Sequence, residues 1–167
     1  MKTIYESSDI FPWDPKQKQK QMFHEHARFL LITPDSQEED ISLLSAEDVL
    51  AYAVFRFERD EGRNVVYVYE LQTSGGSRRS GLGKALIENL ESIGRDFRMS
   101  GIMLTHIKLN AEAETFYKSL NFKVDITSPD YEREVTDDSG EGDDDDEKDS
   151  DSDDGYSILW RSIQRNK

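Results

Sequence analysis

The sequence predicts an α/β domain with a mixed central sheet of about six to seven strands flanked by helices. Three observations lead there. Residues 65–73 are rich in β-branched and aromatic side chains, hold neither Gly nor Pro, and run through a Gly/Ser loop at 74–77 into a helix-forming stretch. Downstream, strand, helix, strand, helix and strand alternate, the order of parallel crossovers. Upstream, two apolar segments flank a polar turn at 59–64, the order of an antiparallel meander.

Taken in order, Asp14-Pro15 reads as an N-cap followed by proline at the first helical position, opening a helix from Lys16 to about His26 with Met22 and Phe23 inward. Residues 28–32 are a strand stopped by Pro34. Residues 35–48 are polar and read as a loop, with a short turn around Leu43-Leu44. Residues 49–57 form a second strand, apolar on both alternating faces as in a sheet covered by helices. The central strand follows the 59–64 turn. A helix spans about 81–97, with Ala85, Leu86, Ile87 and Leu90 as its apolar face. Then come a strand at 102–107, a helix at 110–120, a strand at 122–126, and Tyr156 to Trp160 closing the sheet.

Length and charge bound the rest. A chain of 167 residues suits one domain, spanning 1–167. Its formal charge of −14 is localised: residues 137–154 hold twelve acids and one Lys, a net of −11, leaving −3 for the remainder. The insertion at about 132–154 has no apolar periodicity and is expected to be a disordered, solvated hairpin insertion; the functional alternative is a polyanion that attracts a basic partner. The absence of Cys leaves no disulfide frame and no thiolate nucleophile or ligand, and no metal site is expected. No apolar run reaches membrane-spanning length, and the N-terminus has no signal core, so a soluble intracellular protein is expected. Arg78-Arg79 is too small a basic patch for nucleic acid.

A strand, a glycine-bearing basic turn and a helix N-terminus make an anion site, because the turn's N–H groups and the helix dipole both favour negative charge. Gly81 and Gly83 let a phosphate approach backbone that a Cβ would obstruct. The loop is not a Walker motif: Ala85 follows Lys84 where a hydroxyl residue is required. Nor is it a dinucleotide fingerprint, since Leu86 stands where the third glycine belongs. What remains is Arg78-x-x-Gly81-x-Gly83. A second motif runs Asn110-x-x-Ala113-x-x-Phe116-Tyr117-x-x-x-Asn121-Phe122. Together and in this order they resemble the Gcn5-related N-acetyltransferase superfamily, with Asn121 in place of the usual Gly. By themselves Phe116 and Tyr117 also read as helix core.

The resemblance narrows at Tyr5, Phe55-x-x-Glu58, Tyr67-x-Tyr69-Glu70, the Arg78 to Lys84 loop, Met103-x-Thr105 and Thr127-x-Pro129. These are similar to the histone-specific N-terminal α-acetyltransferases, type D, which act in nucleus and cytoplasm on the Ser-Gly-Arg-Gly starts of histone 4 and histone 2A. Several things follow from that resemblance. Acetyl-CoA is the co-substrate. Leu71, Gln72 and Thr73 meet its acetyl and pantetheine arm. The backbone of Arg78, Arg79, Ser80, Gly81, Leu82, Gly83, Lys84 and Ala85 holds the pyrophosphate, and Thr105 and Asn110 complete the site. Tyr5, Tyr67, Tyr69, Thr127 and Tyr156 wall the acceptor groove, and Glu58 and Asp60 pair with the acceptor's arginine. The partners are the two histone tails, with no nucleic acid or membrane, and a monomer is expected. The family also carries a longer segment ahead of the Tyr5 region.

An α-amine with a pKa of about 8 needs only a modest base, and Glu70 near the end of the central strand is the candidate. Tyr69 is a second catalytic candidate. Alternation puts it on the opposite face unless a bulge re-aims it. The structural alternative for Glu70 is an ion pair with a helix residue. Tyr117 lies where many relatives place a general acid, with core packing as its alternative. Two other functions stay open: acetylation of lysines or of other N-termini, and a non-catalytic acidic histone-binding module.

Overall fold

A computed structural model describes residues 14–34, 45–131 and 155–164. Tyr5, the turn expected around Leu43-Leu44 and the acidic insertion lie outside the described residues. The chain runs α1 (Pro15–Met22), β1 (Arg28–Ile32), a single 3-10 turn (Ala46–Asp48), β2 (Ala51–Asp60), β3 (Arg63–Thr73), a second 3-10 turn (Gly75–Ser77), α2 (Leu82–Asp96), β4 (Gly101–Ile107), α3 (Ala111–Ser119), β5 (Lys123–Val124) and β6 (Tyr156–Ser162). The expected mixed sheet is present, with six strands among the described residues in the order β1-β2-β3-β4-β6-β5.

The meander holds: β1–β2 and β2–β3 are antiparallel, and β2 turns into β3 through Glu61 and Gly62, both at positive φ. That pair of left-handed residues matches the right-handed twist of the flanking strands. The crossover from β3 through α2 to β4 is parallel. β6 slots between β4 and β5, antiparallel to both, so the last strand is internal rather than an edge.

The core lies on one face of the sheet. Leu86, Ile87 and Leu90 of α2 and Tyr117 of α3 pack on Phe55, Val66, Val68, Ile102, Leu104 and Leu159. Leu86, Ile87 and Leu90 are fully buried, each contributing about 1.5–3 kcal/mol of apolar burial. α1 lies on the other face, where Arg56 of β2 donates to the Gln21 carbonyl. Asp14 caps α1 as the sequence implies, accepting from Lys16 N at 2.8 Å and Gln17 N at 3.2 Å.

Three elements depart from expectation. α1 stops at Met22 and Phe23 is 69% exposed, not inward; its ring packs on Phe29 of the edge strand at 5.7 Å instead. β2 starts at Ala51 and reaches Asp60, so Glu58 and Asp60 stand on the strand rather than beyond it. The strand expected at 122–126 shrinks to two residues. Phe122 N bonds to the Tyr117 carbonyl to close α3, so pairing starts only at Lys123. After Val124 one further bond to β6, from Asp125 N to the Ile158 carbonyl, precedes the turn in which the Asp125 carboxylate accepts from Thr127 N. Asn121 sits at φ +61 in that closure, a left-handed C′ position that Asn tolerates, which accounts for its standing where glycine is usual.

Candidate active site

The site begins where two strands part. β3 and β4 pair only from Val65↔Gly101 to Val68↔Leu104, although β3 continues to Thr73 and β4 to Ile107. Their C-terminal ends diverge around a cleft lined by Val68, Tyr69, Glu70, Leu71, Leu104, Thr105, His106, Ile107, Asn110, Ala113 and Tyr117. Among the described residues no strand pairs with β3 on its β4-facing edge beyond Val68, so main-chain groups of Tyr69 to Thr73 on that edge are open to a ligand.

A bulge sets the side chains at the mouth. Val54 pairs with Glu70 but Phe55 with Val68, leaving Tyr69 as the extra residue of β3. Residues paired across strands share a face. Phe55 and Val68 face the core, so Glu70 shares the other face with Val54, and Gln72 with Tyr52. Tyr69 is on that same face: its ring lies 5.0 Å from that of Tyr67 and 4.1 Å below the Arg56 guanidinium. Plain alternation would have separated Tyr69 from Glu70; the bulge brings them together.

Glu70 is 3% exposed. Its Oε1 accepts from Gln72 Nε2 at 2.6 Å, and its Oε2 forms an ion pair with Lys18 of α1. The ion pair with a helix residue is thus present, and Glu70 also lines the cleft. A carboxylate this buried needs such partners. Tyr69 donates to Glu58 Oε1 at 2.5 Å; burial first, then that bond, push its hydroxyl far above the ordinary phenol range. Tyr67 shares a hydrogen bond with Thr105 at 2.7 Å, and burial is the main reason its pKa is raised. Both phenols are therefore neutral hydrogen-bonding groups at neutral pH.

Glu58 and Asp60 follow one another on the same face of β2, each about a third exposed. Arg56 stands 3.7 Å from Glu58, and Asp60 accepts from Arg63 at 3.1 Å. Arg63 also forks onto Asp125 at 2.7 and 2.9 Å and lies over the Trp160 ring. Burial alone would raise the Asp125 pKa, but the Arg63 and Thr127 bonds outweigh it and lower the value. Thr127 is tied to Asp125 through both its N–H and its hydroxyl, so it reaches this face as part of that network. Tyr156, paired with Ile107, stands on the same face as Thr105.

The loop side is built differently. Arg78, Arg79, Ser80 and Gly81 are exposed, with Arg79 at φ +61 and Gly81 at φ +85. Gly81 is the N-cap of α2 and carries no capping side chain, so the first-turn N–H groups are left for an anion. A Cβ on Gly81 would meet open space, as a close phosphate approach requires. Gly83 has another duty: a Cβ there would stand 3.0 Å from the Phe116 ring, so its smallness admits α3. Lys84 reaches Glu88 at 3.6 Å.

α3 joins the two sides. Phe116 covers Gly83, while Asn110, Ala113 and Tyr117 line the cleft. Asn110 caps α3 through Ala113 N at 3.1 Å. Tyr117 is 9% exposed and packs on Phe122 and His106, so it is at once a core residue and a cleft wall. Sequence reasoning missed Lys18, Arg56 and His106. Arg56, the lone charge within the strand expected at 49–57, was the only one of these with a visible signal. Among the described residues no group of three His, Asp or Glu could hold a metal, and no helix is long and apolar enough to cross a membrane.

An exposed, uncapped helix N-terminus beside a cleft with an open strand edge fits a long ligand with an anionic head and a polar-amide arm. Residues 1–122 match the acetyltransferase (GNAT) family model. Similar folds occur in the ribosomal-protein-S18-alanine N-acetyltransferase of Escherichia coli (TM-score 0.57, 17% identity, 99% of this chain and 87% of that one). They occur also in NAA60 of Arabidopsis thaliana, solved with a bisubstrate analogue (0.57, 14%, 99% and 91%), and in Ard1 of Thermoplasma volcanium (0.55, 19%, 99% and 90%). Acetyl-CoA is the acetyl donor of the family whose model matches over residues 1–122, and the chain belongs to the GNAT acetyltransferases.

Proposed function

We propose that this acetyltransferase modifies the α-amine of protein N-termini beginning Ser-Gly-Arg-Gly, the histone 4 and histone 2A type, with Glu70 as general base. The observation that carries the reading is the bulge at Tyr69, which gathers Tyr67, Tyr69 and Glu70 on one sheet face at the mouth of the cleft. The acceptor must be deprotonated there. Its α-ammonium, with a pKa of about 8, gives a proton to the Glu70 carboxylate, directly or through a water. Gln72 holds that carboxylate through Oε1. Tyr67 and Tyr69 offer flat walls and fixed hydroxyls for a short, small-residue N-terminus.

The partly exposed Glu58 and Asp60 on the same face supply the carboxylates for an arginine at acceptor position three. The histone tails, and residence in nucleus and cytoplasm, belong to this proposal. Acetyl-CoA consumption with peptides beginning Ser-Gly-Arg-Gly, Ser-Gly-Ala-Gly and Ser-Ala tests it. A strong preference for the first is expected, and equal rates on all three would remove the histone specificity. A peptide with a blocked α-amine and free lysines is expected to be inert; if it were the better substrate, α-amine chemistry would be wrong.

A further inference from the structure

The Lys18–Glu70 pair joins the least buried helix of the fold to the most buried carboxylate of the cleft. The Lys18 and Glu70 side chains are 15% and 1% exposed. α1 has eight residues, none of them buried, and carries Lys16, Lys18 and Lys20 with no acid in its first turn. A helix of that length is marginal in water without tertiary ties. Its ties to the sheet include the Arg56 bond to the Gln21 carbonyl and the Lys18 pair itself.

We infer that Lys18 occupies the acceptor's ammonium subsite and that acceptor binding proceeds by exchange, the incoming α-ammonium replacing the Lys18 ammonium on Glu70. This deepens the α-amine reading above and rests on it. A buried carboxylate left without a cation is costly, so the site needs a positive partner throughout. Lys18 and an acceptor N-terminus present the same group, a primary ammonium with three donors. Exchange of one for the other keeps Glu70 paired, and α1, having nothing buried, can yield. Lys18 also donates to Gln21 Oε1 at 3.1 Å, a place within α1 for the displaced ammonium to remain bonded. Lys18 is a positioning residue: it keeps the base ready and sets the threshold an acceptor must overcome.

The test uses the full chain, its K18M and K18R variants, and a Ser-Gly-Arg-Gly peptide. Peptide affinity is measured by calorimetry without acetyl-CoA, hydrogen exchange is followed over residues 15–22, and kcat and KM are measured separately. K18M is expected to bind the peptide at least threefold more tightly and to lower KM, whatever the change in kcat. K18R should resemble the parent. Peptide should speed exchange of residues 15–22 in the parent. Equal affinity in parent and K18M, with exchange unmoved by peptide, overturns the inference even when the parent acetylates the peptide well. A parent that binds the peptide with displaced α1 but does not acetylate it keeps the exchange and removes the α-amine reading. A parent that neither binds nor acetylates it overturns both.

Discussion

The two halves of the site are made of different material. The donor side uses backbone: an uncapped helix start, left-handed Arg79 and Gly81, and the edge of β3 that β4 leaves open. The acceptor side uses side chains that hold one another: Tyr69 on Glu58, Tyr67 on Thr105, Glu70 on Gln72 and Lys18, Asp60 on Arg63, Arg63 on Asp125. Backbone sites tolerate sequence change as long as the turn geometry survives. Side-chain networks do not, because removing one member leaves its buried partner unsatisfied. Acetyl donor binding should therefore be robust and acceptor handling fragile.

The largest expected break is Glu70→Gln. It keeps the shape and the Gln72 contact but removes the proton acceptor and the charge facing Lys18. A loss of about 10²–10⁴-fold in kcat is expected, with acetyl-CoA affinity unchanged by calorimetry. A kcat within a few-fold of the parent would place the base elsewhere.

Next in size is Asp125→Asn, which breaks the fork from Arg63. Loss of a buried pair member should cost roughly 2–4 kcal/mol in denaturant unfolding. The sign with pH follows from the lowered folded-state value. Asp125 contributes stability that is fully present above about pH 4, the unfolded carboxylate range, and is lost as pH falls through its lower folded value. The variant should accordingly show a shallower loss of stability on acidification. An unfolding curve parallel to the parent's below pH 4 would remove Asp125 from the acid response.

Glu58→Gln sharpens the comparison rather than breaking it. Tyr69 keeps an oxygen to bond, but the carboxylate offered to an acceptor arginine is gone. The preference for Ser-Gly-Arg-Gly over Ser-Gly-Ala-Gly should fall by about tenfold, equivalent to about 1.4 kcal/mol. An undiminished preference would leave Asp60 as the sole carboxylate in that role.

Smallest is Gly83→Ala. The added methyl crowds the Phe116 ring at 3.0 Å, and a cost of about 1 kcal/mol in stability is expected. Gly81→Ala meets no atom but must hold φ +85, so it should strain the loop and weaken acetyl-CoA binding more than Gly83→Ala does. The reverse ranking in calorimetry would assign phosphate approach to Gly83.

How much could be read in advance tracks the same division. The central strand, the loop, α2 and the Asp14 cap were legible because each depends on local rules: β-branched runs, glycines in a turn, apolar residues at helical spacing, and a short polar N-cap before proline. The strand-end divergence was not legible, because pairing depends on what β4 and β6 do to each other. Nor was the length of β5, which begins only after Phe122 N has closed α3 on the Tyr117 carbonyl.

By itself, then, the sequence determined the α/β class, the meander and the crossover at β3, and the helix start after the glycine turn, since each rests on contacts within a few positions along the chain. Only the tertiary structure decided that Tyr69 and Glu70 share a face, that Gly83 serves Phe116, that Glu70 meets Lys18 more than fifty positions away, and that Tyr117 is both core and wall. Those outcomes turn on strand register and on long-range pairing of buried charge, neither of which has a local signature.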